Sequence, residues 1–473
     1  MNDLIRLTAR EAVAKLAARE VSPLELIDAA EARIKETDGV LNAMPTLCLD
    51  RARAHAKRLM DAPPTDPAPH YLHGLPIAVK DLNEVEGVRT TKGSPIYADH
   101  ISPHSDYMVE ILEANGAIVI GKSNTPELGA GSQTFNEVFG RTANPWNPRL
   151  TPGGSSGGAA VALAAGQAWL ATGSDLGGSL RNPASFCSVV GLRPSPGRVA
   201  HGPSDAPFND LPVQGPMART VADTALMLDA MVGEHPDDPL SLASPATPYT
   251  QAIAAPVTPK RVAFSPDLGI LPVEPVVAET CAAAAQDFAA LGATVTDDCP
   301  DFSGARDAFH VLRAQAFAAG SGVLLDEHRD LLKWEIVWNI EAGRALDVDD
   351  IARANASRAA LFHRVVAFFE THDLLLCPAA ILPPFDGETR WPEEVAGTKF
   401  EAYIDWLQIC GVITLTGCPA LSVPCGFTDD GRPIGLQIVA PPRREDLLLG
   451  AAHLFEQAHD FAGLLPIDPK PAR

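Results

Sequence analysis

None of the eight cysteines (48, 187, 281, 299, 377, 410, 418 and 425) stands in a C-x-x-C pair. Scattered thiols in so long a chain read as reduced core residues, so neither a disulfide frame nor a zinc site is expected. Basic residues are also scarce: 37 Lys and Arg face 59 Asp and Glu, a formal net charge of −22. Such a surface repels phosphate backbones and anionic headgroups, so neither nucleic acid nor a membrane surface is an expected partner. No stretch approaches 18 uninterrupted strongly apolar residues, and the Ala-rich run Gly158 to Leu170 stops at Ala171-Thr172-Gly173. A membrane-spanning helix is therefore not expected. Met1 to Arg6 lack the basic stretch, apolar run and small-residue cleavage site of a targeting segment, which favours a cytoplasmic protein. Aromatics make up only 6%, but 46% of the 473 residues are apolar, enough for a large buried core.

The first sixty residues carry helical patterns. Ser22-Pro23-Leu24-Glu25 is a capping box with Pro at the first helical position. Leu24, Ile27, Ala30 and Ile34 then fall on one helix face. A second helix is expected over Asp50 to Met60, ending in the proline-rich stretch 61–67. From His73 onward, strand and helix patterns alternate. Leu75 to Lys80, Ala117 to Ile120, Val262 to Phe264, Asp373 to Cys377, Ala420 to Pro424 and Ile434 to Val439 read as strands. Asp106 to Ala114, Gly158 to Ala165, Val276 to Leu291, Asp349 to Glu370 and Arg444 to His459 read as helices. The alternation predicts an α/β sheet with parallel pairs. Residues 232–259, rich in Pro, Asp and Ser, are expected to make a surface excursion.

The segment Thr151-Pro152-Gly153-Gly154-Ser155-Ser156-Gly157-Gly158 strips β-carbons from the backbone, so a ligand can come close. It is not a phosphate cradle, because no Lys-Ser/Thr pair follows and no G-x-G-x-x-G register fits. A second glycine-serine element, Thr172 to Arg181, would aim the amides around Gly177 and Gly178 at one point beside the Ser179 hydroxyl. Such converging donors are what an oxyanion hole requires, each worth about 10²–10³-fold in rate. A serine nucleophile also needs a base. The thirteen histidines form no triad motif, and G-x-S-x-G is absent. Lys80, at the end of an apolar strand, is the alternative: an apolar, donor-lined site can hold a lysine neutral at working pH.

In combination these segments resemble the amidase signature family of serine amide hydrolases. The resemblance is carried by Gly74 to Asp81, Gly121 to Glu127, Asn144 to Gly158, Asp175 to Arg193, Pro419 to Pro424 and Gly435-Leu436-Gln437. It implies an α/β amidase signature fold, with a large twisted mixed β-sheet covered by helices on both faces. Residues 1–70 would be a helical region packing on the core, with a candidate dimer contact. Residues 71–473 would be the catalytic domain, with a variable pocket region at about 232–400. The implied triad has Ser179 as nucleophile, Ser155 as bridging serine after a cis peptide bond from Gly154, and Lys80 as base. The backbone N–H groups of Leu176, Gly177, Gly178 and Ser179 would bind the oxyanion, and Ser156 would support the triad by hydrogen bonding. Asp175 and Arg181 are expected to pair and shape the loop.

Cys187 reads as a small core residue rather than a second nucleophile. Thr414, which stands where relatives commonly carry Asn, is a candidate substrate contact together with Cys418 and Trp338. Trp334 and Trp338, four apart on a helix, otherwise read as packing residues. No metal or cofactor is implied. The leading expectation is a stand-alone amidase, acting on carbon–nitrogen bonds other than peptide bonds through an acyl-enzyme. The fairly apolar helices around Phe309 to Leu312, Phe317 and Trp334 suggest a hydrophobic or aryl small-molecule substrate. The alternative is the glutaminase subunit of a tRNA-dependent amidotransferase. Gly343 to Asp349 does not resemble the corresponding segment of such subunits. A homodimer is the expected oligomer.

Overall fold

Thr8, Ser22 and Asp347 each close a reciprocal capping box, satisfying amide groups that the first helical turn leaves without partners. Their helices run Ala9–Ala17, Pro23–Leu41 and Val348–Phe368. In the computed structural model, residues 2–469 are described; residue 1 and residues 470–473, the outer ends of the two expected regions, lie outside them.

The apolar runs become strands of one 11-stranded sheet. Its order is Thr46–Leu47, Ile118–Ser123, Pro76–Lys80, Leu170–Asp175, Val213–Ala218, Val190–Arg193, Ala420–Phe427, Pro433–Val439, Leu374–Pro378, Arg261–Phe264, Thr294–Asp297. The sheet is mixed. Pro76–Lys80 runs parallel to both of its neighbours, as does Arg261–Phe264. The middle strands, from Leu170–Asp175 to Leu374–Pro378, pair antiparallel. Three of these strands leave little trace in the sequence, because Pro216, Gly191, Gly173 and Ser174 interrupt their apolar pattern. The Thr172 to Arg181 element therefore divides in two: strand up to Asp175, and turn only from Leu176.

Period-two alternation sends side chains to opposite faces of the sheet. Leu374 and Leu376 join one core, shared with the helices Pro23–Leu41, Gly157–Ala164, Pro275–Ala290 and Glu445–Gln457. Leu375 and Cys377 join a second core with the helices Ala305–His328, Val348–Phe368 and Gln408–Leu415. Residues of the N-terminal helices, including Ile5, Leu26 and Ile27, are buried in the first core with Val119 and Ala162.

The stretch Ala305–Leu331 is long and apolar enough by composition to cross a membrane, a property the sequence reading did not assign to it. Its helix packs against Trp334–Arg344 and Val348–Phe368, and its buried face belongs to the second core. Within the predicted excursion at 232–259 lies one short helix, Tyr249–Ala254, tied down by Asp229, which accepts from the amides of Tyr249 and Thr250.

Candidate active site

Lys80 ends its strand fully buried. Its Nζ donates to three hydroxyls: Ser155 Oγ at 2.7 Å, Ser156 Oγ at 2.9 Å and Ser174 Oγ at 3.0 Å. Burial pushes the ammonium down to about 7, against a weaker upward pull from the Asp175 charge. The adjacent carboxylate, Asp81, gives no such support. It turns away to accept from the amide and hydroxyl of Thr91 and lies 3.5 Å from the buried Lys122. A neutral lysine offers two N–H donors and one lone pair. The three serines around Lys80 therefore match a state in which one hydroxyl, the nearest being Ser155, donates to the nitrogen.

Ser155 follows a cis peptide bond from Gly154, and the Gly154 amide donates to Asn182 Oδ1 at 3.0 Å. Ser156 precedes the helix Gly157–Ala164, and its Oγ accepts from the Ser174 amide. Ser174 sits near the end of strand Leu170–Asp175, one residue before the turn that carries Ser179. Ser155, Ser174 and Ser179 line one cavity of about 140 Å³. Leu82, Leu128, Phe317 and Leu407 supply its apolar wall, and Arg313 is its one basic side chain.

The turn after Asp175 is organised by that carboxylate. Burial would raise Asp175, but the Arg181 and Arg193 charges and the hydrogen bonds it accepts hold it well below the usual carboxylate range. Arg181 Nη2 lies 2.8 Å from Asp175 Oδ1, and Arg181 Nε donates to Oδ2 at 3.0 Å. The expected structural pair is therefore present and fully buried. The amides of Gly178 and Leu180 also donate to Asp175, at 2.9 and 3.1 Å.

This corrects the expected oxyanion-binding set, because the Gly178 N–H is committed to Asp175 and does not face the cavity as a free donor. The amides of Leu176, Gly177 and Ser179 find no acceptor among the described residues. Gly178 is required for another reason. It has φ +114°, and a β-carbon there would stand 2.6 Å from Cys410 Cβ.

The three candidate substrate contacts do not line the cavity. Thr414 is buried behind the turn, where its Oγ1 accepts from Arg181 Nη2 at 3.1 Å. Cys418 is fully buried, and its amide donates to Thr416 Oγ1. Trp338 packs edge-on against Tyr403, with ring centroids 5.4 Å apart. Cys187 is a core residue whose thiol is pushed up by burial. The sequence reading missed Ser174 and Arg313 as lining residues. Ser174 lies inside the glycine-serine element Thr172 to Arg181, but only the strand register brings it to Lys80.

The Amidase family profile matches residues 25–449. The chain is 35% identical to an acylamidase of Rhodococcus erythropolis, over 98% of this chain and 97% of that one. It is equally 35% identical to a glutamyl-tRNA(Gln) amidotransferase subunit of Synechococcus sp. (strain RCC307), over 92% of this chain and 94% of that one. Among solved structures, a bacterial aryl acylamidase of the amidase signature enzymes superposes with a TM-score of 0.90 at 27% identity, covering 98% and 99% of the two chains.

Proposed function

The chain belongs to the amidase family of amide-hydrolysing enzymes, and from that premise we propose that it is a stand-alone hydrolase of small carboxamides, with Ser179, Ser155 and Lys80 as its catalytic triad. The observation that carries this reading is the buried Lys80 nitrogen, lowered to about 7 and 2.7 Å from Ser155 Oγ, beside the cavity that Ser155 shares with Ser179.

In this mechanism Ser179 Oγ attacks the amide carbon while its proton passes through Ser155 to neutral Lys80. The amides of Leu176, Gly177 and Ser179, which are free of acceptors, stabilise the oxyanion. Collapse of the tetrahedral intermediate breaks the C–N bond, and the proton returns through Ser155 to the leaving nitrogen. Water, deprotonated along the same relay, then hydrolyses the acyl-enzyme and restores Ser179. A cavity of about 140 Å³ suits a short acyl chain, because general ligand pockets run to roughly 300–1,000 Å³.

The amidotransferase relative supports a second reading, glutaminase action within an assembly. One experiment separates the two. The purified chain alone is incubated with aliphatic and aryl carboxamides, anilides and glutamine, with Ser179→Ala alongside. Release of ammonia or amine by the wild type only is the expected result. Silence on every amide, or slow glutaminase activity alone, would transfer the assignment to the partner-dependent glutaminase.

A further inference from the structure

Arg313 is a buried cation without a carboxylate. Only 5% of it is exposed, yet it lines the cavity that holds Ser155 and Ser179. Its Nη1 donates to Asn339 Oδ1 and its Nη2 to Tyr403 Oη at 2.8 Å, both neutral acceptors. The guanidinium lies over the Phe317 and Tyr403 rings, 4.6 and 5.5 Å from their centroids. Two of its five N–H groups are thus used, and no Asp or Glu among the described residues comes within ion-pairing distance of it.

The nearby acid is already engaged. Both oxygens of Glu335 accept from Arg390, and Glu335 also lies 3.9 Å from Lys333 Nζ. Lys333 adds to the positive charge here. Burial lowers it to about 8, against the pull of Glu335 and Glu127, and the Arg390 and Arg313 charges lower it further. Buried charges are normally paired, because an uncompensated one is costly. In a chain with 22 excess negative charges, a cation left without an acid at the wall of the candidate active site is not a by-product of a basic surface.

We propose that Arg313 is a specificity-determining residue that pairs with a carboxylate on the substrate, so that the preferred substrates are half-amides of short dicarboxylic acids. This rests on the reading of the chain as a carboxamide hydrolase. In a primary carboxamide everything except the leaving nitrogen is the acyl part, so the carboxylate sits on the acyl chain. The planar guanidinium, with three uncommitted N–H groups, offers the fork geometry that carboxylates take.

The test measures kcat/KM for ammonia release from succinamate, glutaramate and adipamate, each against its neutral partner of equal length: butanamide, pentanamide and hexanamide. The wild type should prefer at least one acid over its partner by tenfold or more. In Arg313→Gln that ratio should fall towards one through a raised KM, and in Arg313→Lys it should be intermediate. Calorimetric titration with succinate and glutarate gives a readout free of turnover, with binding expected for the wild type and at least tenfold weaker for Arg313→Gln. Equal or lower kcat/KM for every acid, or a loss in Arg313→Gln that falls equally on both members of each pair, would overturn the proposal. Hydrolysis of neutral amides without acid preference would remove the carboxylate subsite and leave the hydrolase reading standing. Dianion binding that needs Arg313, with no amide hydrolysed, would support the subsite and remove the hydrolase reading. The wild-type comparisons decide the matter even if Arg313→Gln does not fold.

Discussion

The backbone amide of Ser156 donates to the carbonyl oxygen of Ser179 at 3.2 Å. The two glycine-serine segments are therefore joined main chain to main chain, and their register does not depend on the hydroxyls. Ser179→Ala should melt within a degree or two of the wild type and lose at least about 10³-fold in kcat, since the covalent step has no substitute oxygen. Circular dichroism melts and amide turnover measured on one preparation check both halves.

In the proposed relay the state of Lys80 sets the pH dependence. As a base it works unprotonated, so kcat/KM should rise through about pH 7 and level off above it. A flat profile from pH 6 to 9, with chemistry limiting, would remove Lys80 as the base.

Stability gives the same residue a second signature. The folded pKa, about 7, lies below the ordinary lysine value of 10.5. Between those values the unfolded chain binds the extra proton, so the Lys80 contribution to stability rises with pH across that window. Lys80→Met should therefore gain most in melting temperature over the wild type at pH 7 and below. That advantage should shrink as the pH approaches 10.

Asp175 is the counter-charge for Arg181 and, at 3.5 Å, for Arg193, all three without exposed side-chain surface. Asp175→Ala strands two cations and frees the Gly178 and Leu180 amides, so a loss of about 3–5 kcal/mol is expected in urea denaturation. Asp326→Ala, which breaks an exposed pair with Arg344, should leave the midpoint unmoved.

Ser174 is the third hydroxyl on Lys80 Nζ. A hydrogen bond accepted from the ammonium favours the charged form, so Ser174→Ala should move the acid limb of the rate profile to lower pH. An unshifted limb with reduced kcat would assign Ser174 to packing alone.

Much of this arrangement was legible in the sequence and some was not. Lys80, Ser155, Ser156 and Ser179 announce themselves because the segments around them need glycine, serine and an apolar strand in a fixed order. Ser174 does not, since its role depends on how Leu170–Asp175 registers against its neighbours. Gly178 misleads for a related reason: a glycine turn presents amides, but only the position of the Asp175 carboxylate decides which of them remain free. Arg313 lies in an Ala-rich helical segment with no motif around it to single it out. Tyr403 and Asn339, which hold it at the cavity, lie far from it along the chain. The substrate candidates Thr414, Cys418 and Trp338 do not line the cavity, because long-range packing decides which residues of a variable region face inward.

Every hydroxyl within reach of Lys80 Nζ comes from residues 155–174, whereas Arg313, Phe317 and Leu407 reach the cavity from helices and loops much later in the chain. Part of the cavity wall thus lies on a stretch of sequence apart from the Lys80 hydroxyls, while Leu82 and Leu128 come from the stretches next to Lys80 and ahead of Ser155. The later part of the wall can therefore be exchanged without touching the hydroxyls around Lys80, and chimaeras that swap residues 305–407 between relatives would change the cavity there alone.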